Sequence, residues 1–235
     1  MKLKATLLSL ALCLSLSSAF AHALWLQTPA VGKKGQAQTV KISYAEPGET
    51  PEKVADWYSD VKEFSLWLVA PDQTKTKLSV NPADDHFTAT FTPTQDGVYT
   101  LAVGHEAKEL GGTTKYQFNA TATVTVGKAS GKSATPNELT VALAQGKPFK
   151  VGKPVSLESV FKNTPSEKIY ISVHSPSGWS RQVVTNAQGV AEFTPLWPGT
   201  YYVEGSKTEK EQGQLQGKDY KSVWRCATLT FDVAP

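Results

Sequence analysis

The stretch Ala19-Phe20-Ala21-His22 carries the residue on which most of the candidate chemistry depends. Ala19-Phe20-Ala21 has the small-x-small pattern of a signal-peptide cleavage site, so cleavage after Ala21 would make His22 the first residue of the mature chain. An N-terminal histidine offers a metal ion two nitrogens, the α-amine and the imidazole. The α-amine has an ordinary pKa of about 8, so it gives up its proton readily. His22 is therefore the first candidate metal ligand.

His105 is the second candidate ligand, because it continues an alternating apolar pattern. Leu101 and Val103 occupy alternate positions of a predicted strand, so His105 falls on the same inward face where that strand opens into its loop. Its imidazole, added to the two nitrogens of His22, would complete the histidine brace, an arrangement that suits copper(II) or nickel(II). Glu106 follows directly and could ligate the metal or orient an imidazole. The alternative is a half-buried histidine beside ordinary loop carboxylates.

Asp84 and His86 form a third candidate pair. They lie in and after the turn-forming stretch Asn81-Pro82-Ala83-Asp84-Asp85. Together they could donate a carboxylate and an imidazole to the same end of the molecule as His22. The alternative is a solvated histidine that follows a turn.

Residues 1–21 predict a secretory signal peptide. Lys2 and Lys4 precede an apolar run that is too short to span a bilayer. We therefore expect an exported protein without a membrane anchor, in the bacterial periplasm. Cys226 is the only cysteine after the signal peptide, so no internal disulfide is expected and the fold must depend on apolar burial.

Charge and motifs argue against several classes of function. Without Lys2 and Lys4, 22 basic residues face 21 acidic ones, and neither sign is concentrated in one segment. Nucleic-acid binding and electrostatic docking to a membrane therefore have only weak support. The sequence contains no Gly-x-Ser-x-Gly, no His-Glu-x-x-His and no phosphate-binding loop. We predict a binding protein and not an enzyme.

Short runs of alternating apolar and polar residues, separated by turn residues, predict an all-β chain. The segments Ala89-Thr90-Phe91-Thr92-Pro93 and Ala191-Glu192-Phe193-Thr194-Pro195 lie 102 residues apart, and so do Tyr99 and Tyr201. A strand-rich repeat of about one hundred residues indicates two tandem immunoglobulin-like β-sandwich domains. Each tyrosine follows Gly-x, as in a tyrosine corner, whose hydroxyl bonds to nearby backbone.

The repeat sets the predicted boundaries. Residues 22–127 would form the metal-binding sandwich, residues 128–136 a small polar linker, and residues 137–235 the second sandwich. The strands predicted for the first domain are 24–28, 37–45, 63–70, 75–80, 86–92, 98–104 and 116–126. Those predicted for the second are 138–144, 154–161, 168–174, 179–184, 190–194, 200–205 and 224–233. In such a sandwich the chain start and three loops share one end, which would bring His22, His86 and His105 together.

Other aromatic residues and the fourth histidine have structural interpretations. Trp67 occupies the strand position at which such sandwiches bury a tryptophan, so we expect it in the core. Trp25 would either cover the metal site or fill the core. His174 lies at the end of a strand in the second domain and is expected on the surface.

The mature start His22-Ala23-Leu24-Trp25-Leu26 resembles an exported bacterial family of unknown function that is labelled a periplasmic component of cobalt/nickel transport. Similar segments of the second half are Lys150-Val151-Gly152-Lys153-Pro154, Gly178-Trp179-Ser180-Arg181 and Ala227-Thr228-Leu229-Thr230-Phe231. The resemblance implies periplasmic handling of a divalent transition metal in uptake, with a membrane metal transporter as a candidate partner. In site type the chain is also similar to histidine-brace copper proteins, namely periplasmic copper carriers and lytic polysaccharide monooxygenases.

One hypothesis and two alternatives follow. The leading hypothesis is a periplasmic binding protein that holds nickel, cobalt or copper through the amine and imidazole of His22 plus a further histidine, and delivers it to uptake or homeostasis machinery. The first alternative is a non-metal adhesion or binding module with Trp179 or Trp197 as contact points. The second is a copper-dependent oxidative enzyme that acts on polysaccharide.

Overall fold

The computed structural model describes residues 22–128, 135–144 and 148–235. The predicted signal peptide, residues 1–21, lies outside these residues, as does most of the predicted linker 128–136. The described chain is all-β, as predicted, with twenty strands and two 3₁₀ turns. No helix in these three ranges is long and apolar enough to cross a membrane.

The strands of the first half are β1 (Ala23–Gln27), β2 (Val31–Gly32), β3 (Gln38–Ala45), β4 (Leu66–Val69), β5 (Lys75–Leu78), β6 (Asn81–Pro82), β7 (His86–Phe91), β8 (Gly97–Gly111) and β9 (Thr114–Val126). The 3₁₀ turns, Val54–Asp56 and Val61–Glu63, lie between β3 and β4. The strands of the second half are β10 (Leu139–Leu143), β11 (Phe149–Lys150), β12 (Val155–Phe161), β13 (Thr164–Pro165), β14 (Tyr170–His174), β15 (Ser180–Val184), β16 (Val190–Phe193), β17 (Gly199–Glu209), β18 (Gly213–Leu215), β19 (Lys218–Tyr220) and β20 (Ser222–Ala234). Every strand predicted from the sequence is present, although β8 and β17 extend well beyond their predicted ends.

One large sheet runs through both halves of the chain. It has ten strands, eight of them in the order β15-β14-β17-β20-β9-β8-β4-β5, with β11 beside β20 and β2 beside β9. The halves join where β20 pairs in parallel with β9, so that Cys226 lies opposite Phe118. The division into two domains stays a prediction, because this sheet is continuous across them.

Two smaller sheets cover opposite faces of the large sheet. The sheet β1-β3-β7-β6 packs on one face, and the sheet of β10, β12, β13 and β16 packs on the other. Alternate residues of β20 serve the two cores: Cys226 belongs to the first, whereas Ala227 and Leu229 belong to the second. This division follows from the two-residue period of a strand. The molecule is therefore a pair of β-sandwiches that share one sheet.

Both predicted tyrosine corners form the expected hydrogen bonds. The hydroxyl of Tyr99 accepts from the backbone amides of Thr94 and Gln95, both at 3.1 Å, and donates to the Gln95 carbonyl. The hydroxyl of Tyr201 accepts from the amide of Trp197 at 3.2 Å and donates to its carbonyl. These bonds fix the starts of strands β8 and β17. The immunoglobulin-like assignment itself stays a prediction.

The core tryptophans differ from those expected. The prediction for Trp67 is wrong, because Leu66 takes the inward position of β4 and Trp67 is only half-buried. The ammonium of Lys75 lies 4.1 Å from the centroid of the Trp67 ring. Trp57 and Trp25 are buried in the first core instead.

Strand β1 ties the two halves together. The carbonyl oxygens of Leu24 and Leu26 accept hydrogen bonds from threonine hydroxyls of β20. The ring of Trp25 meets that of Tyr202 of β17 edge-on, with centroids 5.0 Å apart. Trp25 therefore fills the junction between the halves, which places it in the core.

Candidate functional site

His22 lies directly before β1 and contacts a carboxylate. Its Nε2 atom is 3.0 Å from Oε1 of Glu52, and its ring centroid is 5.5 Å from that of Tyr44. The backbone of Glu52 is fixed, because its amide donates to the Tyr44 carbonyl at 3.0 Å and its carbonyl accepts from the Trp57 indole at 3.1 Å. The side chains of His22 and Glu52 are 32% and 34% exposed. The pair is thus held in place and still open to solvent.

Aromatic residues fix the path of the loop that carries Glu52. The rings of Trp57 and Phe64 stack with centroids 6.3 Å apart. Both rings meet Phe87 of β7 edge-on, at 5.4 and 5.2 Å. Burying these large apolar side chains contributes several kcal/mol in total, at about 1.5–3 kcal/mol each. Packing of these rings in the core therefore sets the path of the loop, and the few hydrogen bonds of its 3₁₀ turns contribute less.

His105 lies on the inward face of β8, as the alternating pattern predicts, and pairs across the sheet with Phe118. Its Nε2 atom is 3.3 Å from Oδ1 of Asp60, and the two side chains are 11% and 10% exposed. Nε2 has no well-aligned hydrogen bond within the described residues, so this contact is chiefly electrostatic. His105 and Asp60 form a second histidine–carboxylate pair, which is buried.

Asp60 joins several donors at this buried position. The backbone amide of Lys108 donates to its Oδ1 atom at 2.8 Å, and the Lys108 ammonium lies 3.3 Å from Oδ2. Burial alone would raise the pKa of Asp60, but the Lys108 amide and the charge of His105 outweigh it and hold the pKa below its ordinary value. Asp60 therefore stays ionised and links the loop to β8.

The expected loop after His105 is not present, because β8 continues to Gly111 before a tight turn. Adjacent residues of a strand point to opposite faces, so Glu106 faces away from His105. The carboxylate of Glu106 lies 3.2 Å from the ammonium of Lys115. The structure therefore does not bring Glu106 to His105.

His86 begins β7 on the opposite side of its sheet from His22. Its neighbour Phe87 faces the core, so His86 faces outward, whereas His22 contacts the core residue Tyr44. The Nδ1 atom of His86 hydrogen-bonds to Asp85, and this bond holds the pKa of Asp85 below its ordinary value.

Asp84 turns its carboxylate to solvent, 3.9 Å from the ammonium of Lys53. Its backbone carbonyl accepts a hydrogen bond from the amide of Val54 at 2.8 Å. The structure does not bring His86 or Asp84 together with His22. Their role as metal ligands stays a prediction.

His22 and His105 lie at the same end of the first core, with aromatic rings between them. The ring of Tyr44 contacts both His22 and Phe118, the latter at 6.0 Å, and Phe118 lies opposite His105. Burial, with the nearby Cys226 and Glu52, raises the pKa of Tyr44, so its phenol stays neutral. In the ranges 22–128, 135–144 and 148–235, no three His, Cys, Asp or Glu side chains lie close enough to hold a metal ion. The α-amine of His22 is a backbone group and becomes a ligand only in a chain that begins there.

Sequence reasoning missed Glu52 and Asp60. The one available signal for Glu52 was the preceding Pro51. Proline holds its own backbone and that of the residue before it in an extended conformation, which can run beside a strand. Asp60 carries no such signal. Its contact with β8 depends on how the whole loop packs.

Comparisons with solved structures show a distant likeness. The chain is similar to a mutant of Salmonella alpha-2-macroglobulin and to that protein reacted with methylamine, at 11% identity and a TM-score of 0.31 in each case. The matches cover 92% and 90% of this chain, which spans 15% of each macroglobulin chain. A likeness at this TM-score carries no argument about function.

No curated protein matches the chain. The family described as a domain of unknown function (DUF4198) matches residues 19–208, which is most of the sequence. The chain therefore belongs to the DUF4198 family.

Proposed function

We propose that this protein is a periplasmic carrier that binds one divalent transition-metal ion, nickel, cobalt or copper, at His22 and delivers it to uptake or homeostasis machinery. The observation that carries the proposal is the 3.0 Å contact between Nε2 of His22 and Oε1 of Glu52. Metal-bound histidines usually direct their second ring nitrogen at a carboxylate or carbonyl in this way.

The contact selects a tautomer of His22. A carboxylate beside Nε2 favours a proton on that nitrogen, which leaves the lone pair on Nδ1. Nδ1 is also the ring nitrogen that can close a six-membered chelate with the α-amine of the same residue. Glu52 therefore orients His22 for two-nitrogen binding in a chain that begins at His22.

The openness of this position favours a carrier over a structural metal site. Structural sites surround the ion with four protein ligands, whereas His22 is partly exposed and supplies two nitrogens. Positions left to water or to a receiving protein would let the ion exchange. A further histidine ligand is still part of the proposal, and His105 is the candidate at the same end of the core. That step requires the Tyr44 ring to move.

The compartment and the metals are supported by sequence. The first 21 residues have the pattern of an export signal, and the start of the mature chain resembles an exported family labelled for cobalt/nickel transport. Nitrogen ligands suit nickel and copper, and the Irving–Williams order places copper(II) above nickel(II) and cobalt(II) in affinity.

The test compares a free and a blocked chain start. Both proteins begin at His22, and the second is acetylated at its α-amine, which converts that amine into an amide without adding a new terminal amine. Each is titrated calorimetrically with copper(II), nickel(II) and cobalt(II). We expect one ion per chain in the first protein and an affinity weaker by about 100-fold or more in the second, because the acetylated nitrogen has no lone pair to offer and His22 keeps only its imidazole. Equal affinities would overturn the proposal.

A contact module is a second candidate function, and one surface favours it. Trp179 is exposed, its ring centroid lies 5.9 Å from that of Trp197, and the neighbouring Leu196 is also exposed. An exposed tryptophan that lies beside other apolar side chains often marks a binding surface. This function would not depend on a free α-amine at His22, so the free and the acetylated chain distinguish it from the metal carrier.

A further inference from the structure

One face of the second half carries an isolated carboxylate. Strands β14, β15 and β17 end the large sheet, and β10, β12 and β16 cover one of its faces. We call the opposite face the outer face. Its facing pairs are Ser172 with Glu204, His174 with Tyr202, and Tyr170 with Val184.

Glu204 lies at the centre of the outer face. It has Ser172 on one side and Thr228 of β20 on the other. Within the described residues its carboxylate has no hydrogen bond or ion pair, although the residue is only half-buried. Burial raises the pKa of Glu204 to about 7. The carboxyl is thus largely dehydrated although the residue reaches solvent, and β1 packs nearby, where the ring of Trp25 contacts that of Tyr202.

Among the described residues, no lysine or arginine pairs with Glu204. The register of β14, β15, β17 and β20 places no lysine or arginine on the outer face, and the β1 residues of that side are neutral. The nearby titratable groups are neutral too: burial lowers the pKa of His174 and raises that of Cys226. Asp232, further along β20, already accepts a hydrogen bond from Thr200 at 2.7 Å. The outer face therefore has negative charge without compensation.

Apolar surface adjoins this carboxylate. Tyr170 is 55% exposed and Val184 is 46% exposed, and the two lie directly opposite each other on β14 and β15. Large apolar side chains that lie together on a surface often belong to a binding site. A ligand with a charged end and an apolar stem would match both features.

We propose that the outer face binds an organic cation, an ammonium or guanidinium group on an apolar stem, with the charge paired to Glu204 and the stem on Tyr170 and Val184. The hydroxyl of Ser172 supplies a further acceptor for an N–H donor, whereas the hydroxyl of Tyr202 already accepts from the side-chain amide of Gln27 at 3.1 Å. The arrangement suits a nitrogen cation better than a metal ion, since the described residues gather no set of three metal-ligating side chains. This site is independent of His22.

The test uses a matched pair of probes on the chain that begins at His22. Butylguanidinium carries the charge and the stem, whereas butylurea is its neutral isostere. Each is titrated above the pKa of Glu204, at millimolar concentration, while the backbone amide signals are followed by NMR. We expect butylguanidinium to shift amides of β14 and β17, Glu204→Gln to weaken binding about tenfold or more, and butylurea to cause no shift.

Controls separate binding from folding. Asp232→Asn removes another acid of the outer face and is expected to leave the affinity unchanged, and thermal unfolding shows whether each variant is folded. A short peptide with one arginine is titrated as a second probe. Tighter binding of the peptide than of butylguanidinium indicates a cation presented by a partner protein. The reverse order indicates a free small ligand. Equal binding to wild type and Glu204→Gln, or no binding of either cation, overturns the proposal. Acetylating the α-amine of His22 should not change the result, so failure here and failure of metal binding are distinguishable.

Discussion

Two histidine–carboxylate pairs at one end of the first core have the same chemistry and different surroundings. His22 and Glu52 are about one-third exposed, whereas His105 and Asp60 are about one-tenth exposed. Asp60 also accepts from the backbone of Lys108, while the Glu52 carboxylate has no second hydrogen bond or ion pair within the described residues. The buried pair joins a loop to a strand, and the open pair leaves a nitrogen available to solvent.

This difference shows that residue types alone do not distinguish a pair that stabilises the fold from a pair that is open to a ligand. Burial makes a carboxylate costly to remove, because its former partners stay dehydrated without it. Exposure makes the same contact nearly neutral for stability and leaves it free to orient a ligand. The two pairs should therefore respond oppositely to mutation.

The largest expected effect is on stability at the buried pair. Asp60→Ala should lower the free energy of unfolding by about 2–4 kcal/mol, because the Lys108 amide and His105 lose their acceptor. Glu52→Ala is the matched change at the open pair and should cost no more than about 0.5 kcal/mol. Urea unfolding followed by tryptophan fluorescence measures both. Similar losses of unfolding free energy in the two variants would contradict the proposed difference between the pairs.

The second prediction reverses the order for metal affinity. Glu52→Ala should weaken metal binding to the chain that begins at His22 by about 10- to 100-fold, because His22 loses the group that fixes its tautomer. Glu49→Ala, an exposed acid in the same loop, is the control and should have no effect. Calorimetric titration gives the affinities. An unchanged affinity in Glu52→Ala would show that Glu52 does not orient His22.

A smaller effect is expected on the stability of the protein at acidic pH. The pKa of Asp60 lies below its ordinary value of 3.8, because the Lys108 amide and His105 outweigh the effect of burial. A lowered pKa contributes stability above the unfolded pKa, and this contribution is lost as the pH falls through the folded pKa. The stability advantage of wild type over Asp60→Asn should therefore shrink as the pH falls below about 4. Denaturant unfolding across this range measures it, and an advantage that grows in acid would contradict the assignment.

The smallest effect is expected at His86. It faces away from the core and contacts only its neighbour Asp85 among the described charged groups. His86→Ala should change the free energy of unfolding by no more than about 0.5 kcal/mol and the metal affinity by no more than about twofold. A large loss of affinity would place His86 in the metal site despite its position in this structure.

Local patterns predicted the strands well, since alternation, turn residues and the repeated Gly-x-Tyr report on local backbone. They placed His105 on the inward face for the same reason. They did not predict the extension of β8, the parallel pairing of β9 with β20, or the outward direction of His86. Each of these depends on register between strands that are distant in sequence.

The sequence did not predict the carboxylate partners of the two histidines, for a related reason. Glu52 and Asp60 sit in an irregular loop whose path is set by Trp57 and Phe64 in the core. Periodicity carries no information about such a loop. The loop was recognised, whereas the two acids that matter in it were not.

The central claim is that the amine and Nδ1 of His22 bind the metal while Glu52 holds Nε2. Electron paramagnetic resonance of the copper(II)-loaded chain tests it most directly, with ¹⁵N-labelled histidine to identify the nitrogens. We expect coupling to both nitrogens in the chain that begins with a free His22, and loss of the amine coupling in the same chain acetylated at His22. Identical spectra from the two chains would contradict it.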